Sequence, residues 1–568
     1  MTAATLGAVF RYVNNTYGNK IIMRHLEPFK RLLSGRYASL VVVIAFGIVS
    51  GLCGVALLAL INLSLHTFND FDGRDALIFI ALATLVLLTQ VVSSIGMARF
   101  VQTTVRDLRM QLGRHIMVAP FSVLQKLGSP RLMANLTEDV SVITNALQLV
   151  SQLCISMAWL LGGLVYMAWL SLDLFMFVIG VIALGIAIYY LSLRFAMRPL
   201  HSAREQDDAL YAHFRGLTQG IKELKLHRDR AQDFLNNGLA TTAKACCQLN
   251  ISAMTFFIFA AAWGGAILYF LVGAMFYGMH RWWEVTDETV VSGYILTFLY
   301  IIGPISTIIN GIPDLGRAKV SFNKIENLHH ELDHNCDAMG GALPDKTPTQ
   351  PFAIELKEVC YRYHYDGSNF TLGPLNLMFN PGELVFITGG NGSGKSSLAL
   401  LLVGLYVPAQ GAVMLDGALI TDANREAYRQ QFSVIFSDFY LFESLLGLRD
   451  EHIDEKAISF LKQLQLDHKV SVKNGVFSTI TLSQGQRKRL ALLTAYLEDR
   501  PFYVFDEWAA DQDPIFKEIF YTTILTDLKT RGKTVIVITH DDRYFHMADR
   551  HIRMEDGQIK EITAHSGI

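Results

Sequence analysis

The sequence predicts an all-α membrane domain of six helices fused to an α/β domain built around a phosphate-binding P-loop. Three observations carry this. First, 568 residues exceed a single domain, and 51% hydrophobic with 18% charged is too apolar for a soluble protein and too charged for a bare helix bundle. Second, six apolar runs, each near the ~20 residues needed to cross a bilayer, all lie before Pro313. Third, Gly389 to Ser397 reads GGNGSGKSS, with a strand-like Glu383–Thr388 before it and a helix-like Leu398–Leu405 after it. Strand, glycine loop and helix in that order form a phosphate cradle, because glycines let the backbone wrap an anion with its N–H groups pointing inward.

In chain order, residues 1–36 are a cytoplasmic lead-in. They carry scattered charges and no continuous apolar core, which excludes a secretory signal. Ile21 to Leu33 can lie on the membrane as an amphipathic helix or be plain lead-in. The membrane domain is expected over 37–330, with spans Leu40–Ile61, Ala76–Ile95, Leu147–Leu170, Leu172–Leu193, Ile251–Phe276 and Val290–Ile312. Ser171-Leu172-Asp173 links the third and fourth tightly. Lys and Arg crowd the segments before the first span, between the second and third, and between the fourth and fifth. The positive-inside rule then places both termini in the cytoplasm, with Trp282 and Trp283 as anchors at the outer interface. The two basic loops read helical; Leu217 to Leu226 has apolar residues at helical spacing. Long helices would project below the membrane, and a turn at each tip could touch a soluble domain. Gln90, Ser93, Ser94 and Asn310 inside the spans serve either interhelical hydrogen bonds or a cargo cavity.

Arg317 to His334 reads as a charged helix, residues 331–350 as a linker rich from Asn335 in Gly, Pro, Asp and Thr, and residues 351–568 as the α/β domain. The alternation from Phe352 to Tyr363 opens that domain with a strand. A net charge of -2 gives no sign of nucleic-acid binding. Six cysteines without a C-x-x-C pair or zinc spacing are expected to be reduced thiols.

The chemistry sits in three places. In the P-loop the candidate nucleotide-binding residues are Gly389, Asn391, Gly392, Ser393, Gly394, Lys395, Ser396 and Ser397. Lys395 can reach the β- and γ-phosphates, the Ser396 hydroxyl can sit on Mg²⁺, and the helix opening at Lys395 adds its positive end. Pro501 to Glu507 is an apolar strand ending in two acids: Asp506 as the partner of Mg²⁺, Glu507 to polarise a water for attack on the γ-phosphate. Leu482-Ser-Gln-Gly-Gln486 is a small-residue turn opening a helix, either a second anion site or a simple N-cap at Ser483.

Taken in order, GGNGSGKSS, LSQGQ, FYVFDE and the histidine closing VIVITH at His540 resemble an ABC transporter ATPase over roughly residues 352–562, and the six spans are similar to the exporter-type membrane domain. The resemblance implies ATP and Mg²⁺ as cofactors. It implies that Tyr363 stacks on adenine, unless it is a strand aromatic facing the core. It implies that Ser483, Gly485 and Gln486 close over a nucleotide held by a partner subunit, that Asp513 acts across the dimer, and that His540 is a catalytic switch residue beside Glu507. Two positions depart from the family pattern. Ser437 stands where a Gln usually touches Mg²⁺, leaving a bridging water or Asp438 to substitute, and Gln484 stands where Gly is usual. The stretches from Asp506 to Pro514 and from Thr539 to Phe545, with the P-loop, resemble the bacterial cyclic-peptide and siderophore-peptide exporters, a branch that includes transporters of microcin and pyoverdine precursors. Together these imply a homodimer of half-units surrounded by inner-membrane lipid, exporting a peptide-like cargo with ATP by alternating access. Lipid or multidrug export, or an ATP-gated channel with weak hydrolysis, are the alternatives. No peptidase domain precedes the first span and no cysteine precedes Cys53, so leader cleavage is not expected.

Overall fold

Each of the six apolar runs lies inside one long helix. The computed structural model describes residues 37–66, 73–282, 288–333, 352–362, 370–448 and 450–564. The long helices are α1 (Tyr37–His66), α2 (Gly73–Val118), α4 (Val140–Leu170), α5 (Leu172–Gln219), α6 (Ala240–Trp282) and α7 (Glu288–Asp333), with the short α3 (Phe121–Leu127) after α2. Among the described residues, four helical stretches, Ala38–His66, Arg74–Val118, Ser129–Leu170 and Glu288–Leu332, are long and apolar enough to cross a membrane. Leu172–Gly185 is a shorter apolar stretch, and Ile251–Phe276 forms part of α6. The lead-in, the linker from Asn335, Trp283 and Tyr363 lie outside the described residues.

Two details differ from the expected boundaries. The α7 helix runs through Pro313 without ending, so the charged stretch from Arg317 continues the last span rather than starting anew. A proline is tolerated inside such a helix when its neighbours satisfy the freed carbonyl. The basic loop after α5 is helical in pieces: α5 ends at Gln219 with Gly220 as its cap, Ile221–Leu226 and Arg228–Asp233 are short helices, and the π-helix Phe234–Leu239 leads into α6.

The chain divides into two compact units. The first takes Met1–Asp107 and Val140–Phe322. Its helices approach closely through small residues, as helices in lipid do when packing rather than water drives association. A Cβ on Gly51 would come within 2.6 Å of the Ala158 Cβ, and one on Gly54 within 1.9 Å of the Trp159 ring. Polar side chains tie the ends of α1, α4 and α7. Asn62 Nδ2 donates to Tyr166 Oη (3.1 Å) and to the Thr289 carbonyl (2.9 Å), and Ser292 Oγ donates to Asn62 Oδ1 (2.6 Å). Ser93 Oγ donates to the Val43 carbonyl (2.9 Å), an interhelical bond, whereas Gln90, Ser94 and Asn310 are exposed.

The second unit takes Leu108–Asp139 and Asn323–Ile568. Among the described residues, twelve strands, β1 to β12, run in chain order. The strands β1 (Ile354–Arg362), β2 (Thr371–Phe379), β4 (Gln410–Leu415) and β5 (Ala418–Leu419) form an antiparallel sheet in the order β2-β1-β4-β5. The main sheet has the order β12-β11-β3-β10-β9-β6, from β3 (Leu384–Gly389), β6 (Phe432–Ile435), β9 (Phe502–Asp506), β10 (Thr534–Ile538), β11 (Arg550–Glu555) and β12 (Gln558–Ala564). All its pairings are parallel except β11 with β12. Every residue of β9 and β10 is buried, as expected of parallel strands covered on both faces. The short β7 (Val472–Lys473) and β8 (Val476–Phe477) make a hairpin. Helix α3 docks on this lobe: Tyr406 Oη donates to Gln125 Oε1 (2.6 Å), and the Phe121 ring lies 6.1 Å from that of Tyr406, itself stacked on Tyr361 at 4.3 Å.

Candidate nucleotide-binding site

The strands β3 and β9 flank β10 and run parallel to it, so the loops leaving their carboxyl ends emerge on one edge of the sheet, where open α/β sheets bind ligands. The loop leaving β3 is the P-loop. Gly389 (φ 152°) has no room for a side chain: a Cβ there would lie 2.3 Å from the Met554 carbonyl. Gly394 (φ 96°) would press a Cβ against Leu372 and Phe370, and it caps the helix α8 (Lys395–Leu402). Lys395 is buried, and its ammonium donates to the carbonyls of Gly389 (3.0 Å) and Gly390 (2.9 Å). Burial lowers its pKa, and the negative charges of Glu507 and Asp506 push it back up.

Asp506 closes β9 at 1% exposure. Burial raises its pKa, against the Ser396 hydroxyl and the Ser437 backbone, which hydrogen-bond to it. Its Oδ1 has no hydrogen-bond partner among the described residues. A buried carboxylate oxygen with no donor, beside a serine hydroxyl, suits a divalent cation held by Ser396 and Asp506. Glu507 follows with left-handed backbone (φ 50°), its Oε1 3.3 Å from His540 Nε2. A cleft of about 440 Å³ lies over the loop, lined by Phe370, Asn391, Gly392, Gly394, Lys395, Ser396, Ser397 and Glu507. Gly389 and Ser393 shape the loop beneath; Ser393 is buried, and its Oγ has no partner among the described residues.

The remaining sequence-derived residues within the described segments do not line this cleft. Ser483 N-caps α10 (Gln484–Glu498), which follows α9 (Ile453–Gln463) in the chain. The Gln486 N–H donates to Ser483 Oγ (3.5 Å) and the Ser483 N–H to Gln486 Oε1 (3.3 Å), a reciprocal cap. Thus the N-cap reading of Ser483 holds locally, and its exposure leaves it accessible as well. A Cβ on Gly485 would lie 2.7 Å from the Asp511 carbonyl. Asp513 caps the turn Pro514–Glu518 by accepting from the Phe516 N–H (2.9 Å); that bond, with Arg489 beside it, holds its carboxyl below the usual range. Ser437 and Asp438 are exposed, and Ser437 hydrogen-bonds to Asp506 through its main chain.

Two residues escaped the sequence reading. Phe370 lines the cleft but stands outside every motif. Lys488, inside the Arg487-Lys-Arg489 run, is 2% exposed, and its ammonium reaches the Glu507 carbonyl (2.9 Å) and Asp511 Oδ2 (2.8 Å). Its spacing of four from Leu492 and seven from Ala495, both buried, was the signal that it faces inward.

A family profile described as ABC transporter matches residues 372–510, and one described as ABC transporter transmembrane region matches residues 40–305. The chain is 36% identical over 524 residues to the ATP-binding protein SyrD of Pseudomonas syringae pv. syringae, covering 90% of this chain and 92% of that protein. It is 33% identical over 229 residues to the nisin transport ATP-binding protein NisT of Lactococcus lactis subsp. lactis, covering 37% and 38% of the two chains. It is 25% identical over 496 residues to the ATP-dependent lipid A-core flippase of Hahella chejuensis, covering 83% and 81%.

Proposed function

Because the chain belongs to the ABC transporter family, as an exporter-type protein with its membrane and ATP-binding regions in one polypeptide, we propose that it hydrolyses ATP to move a peptide-like cargo outward across a bacterial inner membrane as a homodimer. The observation that carries this reading is the meeting of Lys395, Ser396 and Glu507 in one cleft, with an Asp506 oxygen that has no hydrogen-bond partner among the described residues beside Ser396. Lys395 binds the terminal phosphates as a point charge, and the P-loop amides orient them. Glu507, beside His540, takes the proton of the attacking water, and His540 contacts the γ-phosphate. Ser396 and Asp506 would hold Mg²⁺, which when bound offsets charge on the β- and γ-phosphate oxygens.

Ser483, Gly485, Gln486 and Asp513 do not line their own chain's cleft, which favours their serving the nucleotide of a second copy. ATP then acts as a ligand with higher affinity for the closed pair of lobes, and that difference drives the membrane helices to switch. The positive-inside pattern supports cytoplasmic termini and a cytoplasmic ATPase lobe. The likeness to NisT, named for nisin transport, favours a peptide cargo; the likeness to a lipid A-core flippase supports lipid export as the second reading. Phosphate release from purified full-length protein tests the hydrolytic step: Glu507→Gln is expected to lose at least about a hundredfold, the scale of removing a positioned general base. Equal rates for the two proteins would overturn it. Stimulation of the wild-type rate in vesicles by peptides but not by lipids or drugs supports the cargo assignment, and the reverse pattern defeats it.

A further inference from the structure

We propose that Lys488 is a positioning residue for hydrolysis: it fixes the backbone of Glu507 so that its carboxylate faces the cleft. The proposal rests on Glu507 being the base. Glu507 adopts a left-handed conformation that side-chain-bearing residues avoid, so something must hold it there. On one side its N–H donates to the Ile538 carbonyl of β10 (3.0 Å). On the other its carbonyl accepts from Lys488 Nζ (2.9 Å). The next residue, Trp508, is held by the same lysine: its indole N–H donates to the Lys488 carbonyl (2.9 Å), and its ring stacks on Phe520 at 4.3 Å. Lys488 thus holds the Glu507 carbonyl with its ammonium and the Trp508 indole with its own carbonyl.

Packing alone does not call for a lysine here. A methionine fills a similar volume without the cost of taking an ammonium out of water. The charge is retained between two acceptors, the Glu507 carbonyl and Asp511 Oδ2 (2.8 Å), and both lie in the segment that follows β9. That segment is joined to the start of α10 a second time, where Gln512 Nε2 donates to the Gly485 carbonyl (3.0 Å) and Arg489 Nε donates to Gln512 Oε1 (2.9 Å). Ser483 begins the same helix. Whatever holds Ser483 and Gly485 therefore also sets where the Lys488 ammonium lies, and through it the aim of Glu507.

The test measures ATP hydrolysis by the full-length protein at varied ATP, with nucleotide binding measured separately. Lys488→Met is expected to lower kcat about tenfold or more while leaving KM and the nucleotide Kd within about twofold, since a small misplacement of a catalytic group acts on the chemical step. Lys488→Arg, which keeps the charge and the donor, is expected to recover at least about a third of the rate. A Met variant with wild-type kcat, a parallel loss of rate and nucleotide affinity, or an Arg variant no better than Met overturns the proposal. Should Lys488→Met fail to accumulate as folded protein, the half-exposed Asp511→Asn decides: an isolated fall in kcat of about threefold supports the role, as expected for a loosened anchor, and an unchanged kcat overturns it. Glu507→Gln is run alongside. If it is inactive and Lys488→Met is not impaired, only the lysine's role fails; if Glu507→Gln hydrolyses normally, the base assignment fails and takes this proposal with it.

Discussion

A carboxylate at 1% exposure with one oxygen lacking a donor among the described residues suits a cation and opposes folding, and Asp506 is such a group. Its pKa is raised by burial, so the folded lobe binds that proton more tightly than the unfolded chain does. The ionised form therefore penalises folding above the raised pKa, and the penalty fades as pH falls through it. Asp506→Asn is therefore expected to raise the melting temperature of the nucleotide-free protein at pH 8, by an amount that shrinks on acidification, while abolishing Mg²⁺-dependent hydrolysis. Thermal melts across pH check the first part and phosphate release the second. Ser437 gives a second residue-scale expectation. Its hydrogen bond to Asp506 comes from the backbone, so Ser437→Ala should keep Mg²⁺-dependent ATP hydrolysis within about twofold, as loss of a side chain without a bonding role does. A larger loss would assign the hydroxyl a direct part.

At the scale of elements, the contact between α3 and the ATP-binding lobe is the part of the fold least visible in the sequence. Gln125 and Tyr406 are 281 positions apart, and neither belongs to a motif. The P-loop, the two acids and the six apolar runs, each of which lies inside a long helix, were legible because each is written in a local run: glycines, alternation, or an unbroken apolar stretch. Phe370, Lys488 and the Tyr406 contact depend on partners brought together only by folding. In the basic run Arg487–Arg489 the middle member, Lys488, turns inward. Tyr406→Phe removes one hydrogen bond to Gln125 and should cost about 0.5–1.5 kcal/mol of lobe stability. Basal hydrolysis should survive, and stimulation of that rate by cargo in vesicles should weaken. Full cargo stimulation in the variant would show that this bond carries none of the coupling.

At the scale of the whole molecule, the separation of Ser483 from the cleft makes a prediction about two chains. Lys395→Ala disables a P-loop and Ser483→Ala disables a signature turn. Each variant alone should lose at least about tenfold in ATPase, as expected when a phosphate-binding contact is removed. Coexpressed, the mixed dimer pairs the intact P-loop of one chain with the intact turn of the other, so one composite site returns. ATPase in the purified mixed dimer well above that of either pure variant is the expected outcome. Failure to recover any would place the turn in service of its own chain.

The glycines of α1 carry a consequence for how loss of function is interpreted. Gly47, Gly51 and Gly54 recur every three or four residues along one face, and added methyl groups would meet Ile155, Ala158 and Trp159 of α4 at 3.1, 2.6 and 1.9 Å. A random mutagenesis screen should therefore find a periodic stripe of intolerance on this helix, steepest toward Gly54. Such a stripe would look like the wall of a translocation path. It would instead record how near two backbones lie, and a substitution there could silence transport without ever meeting what is transported.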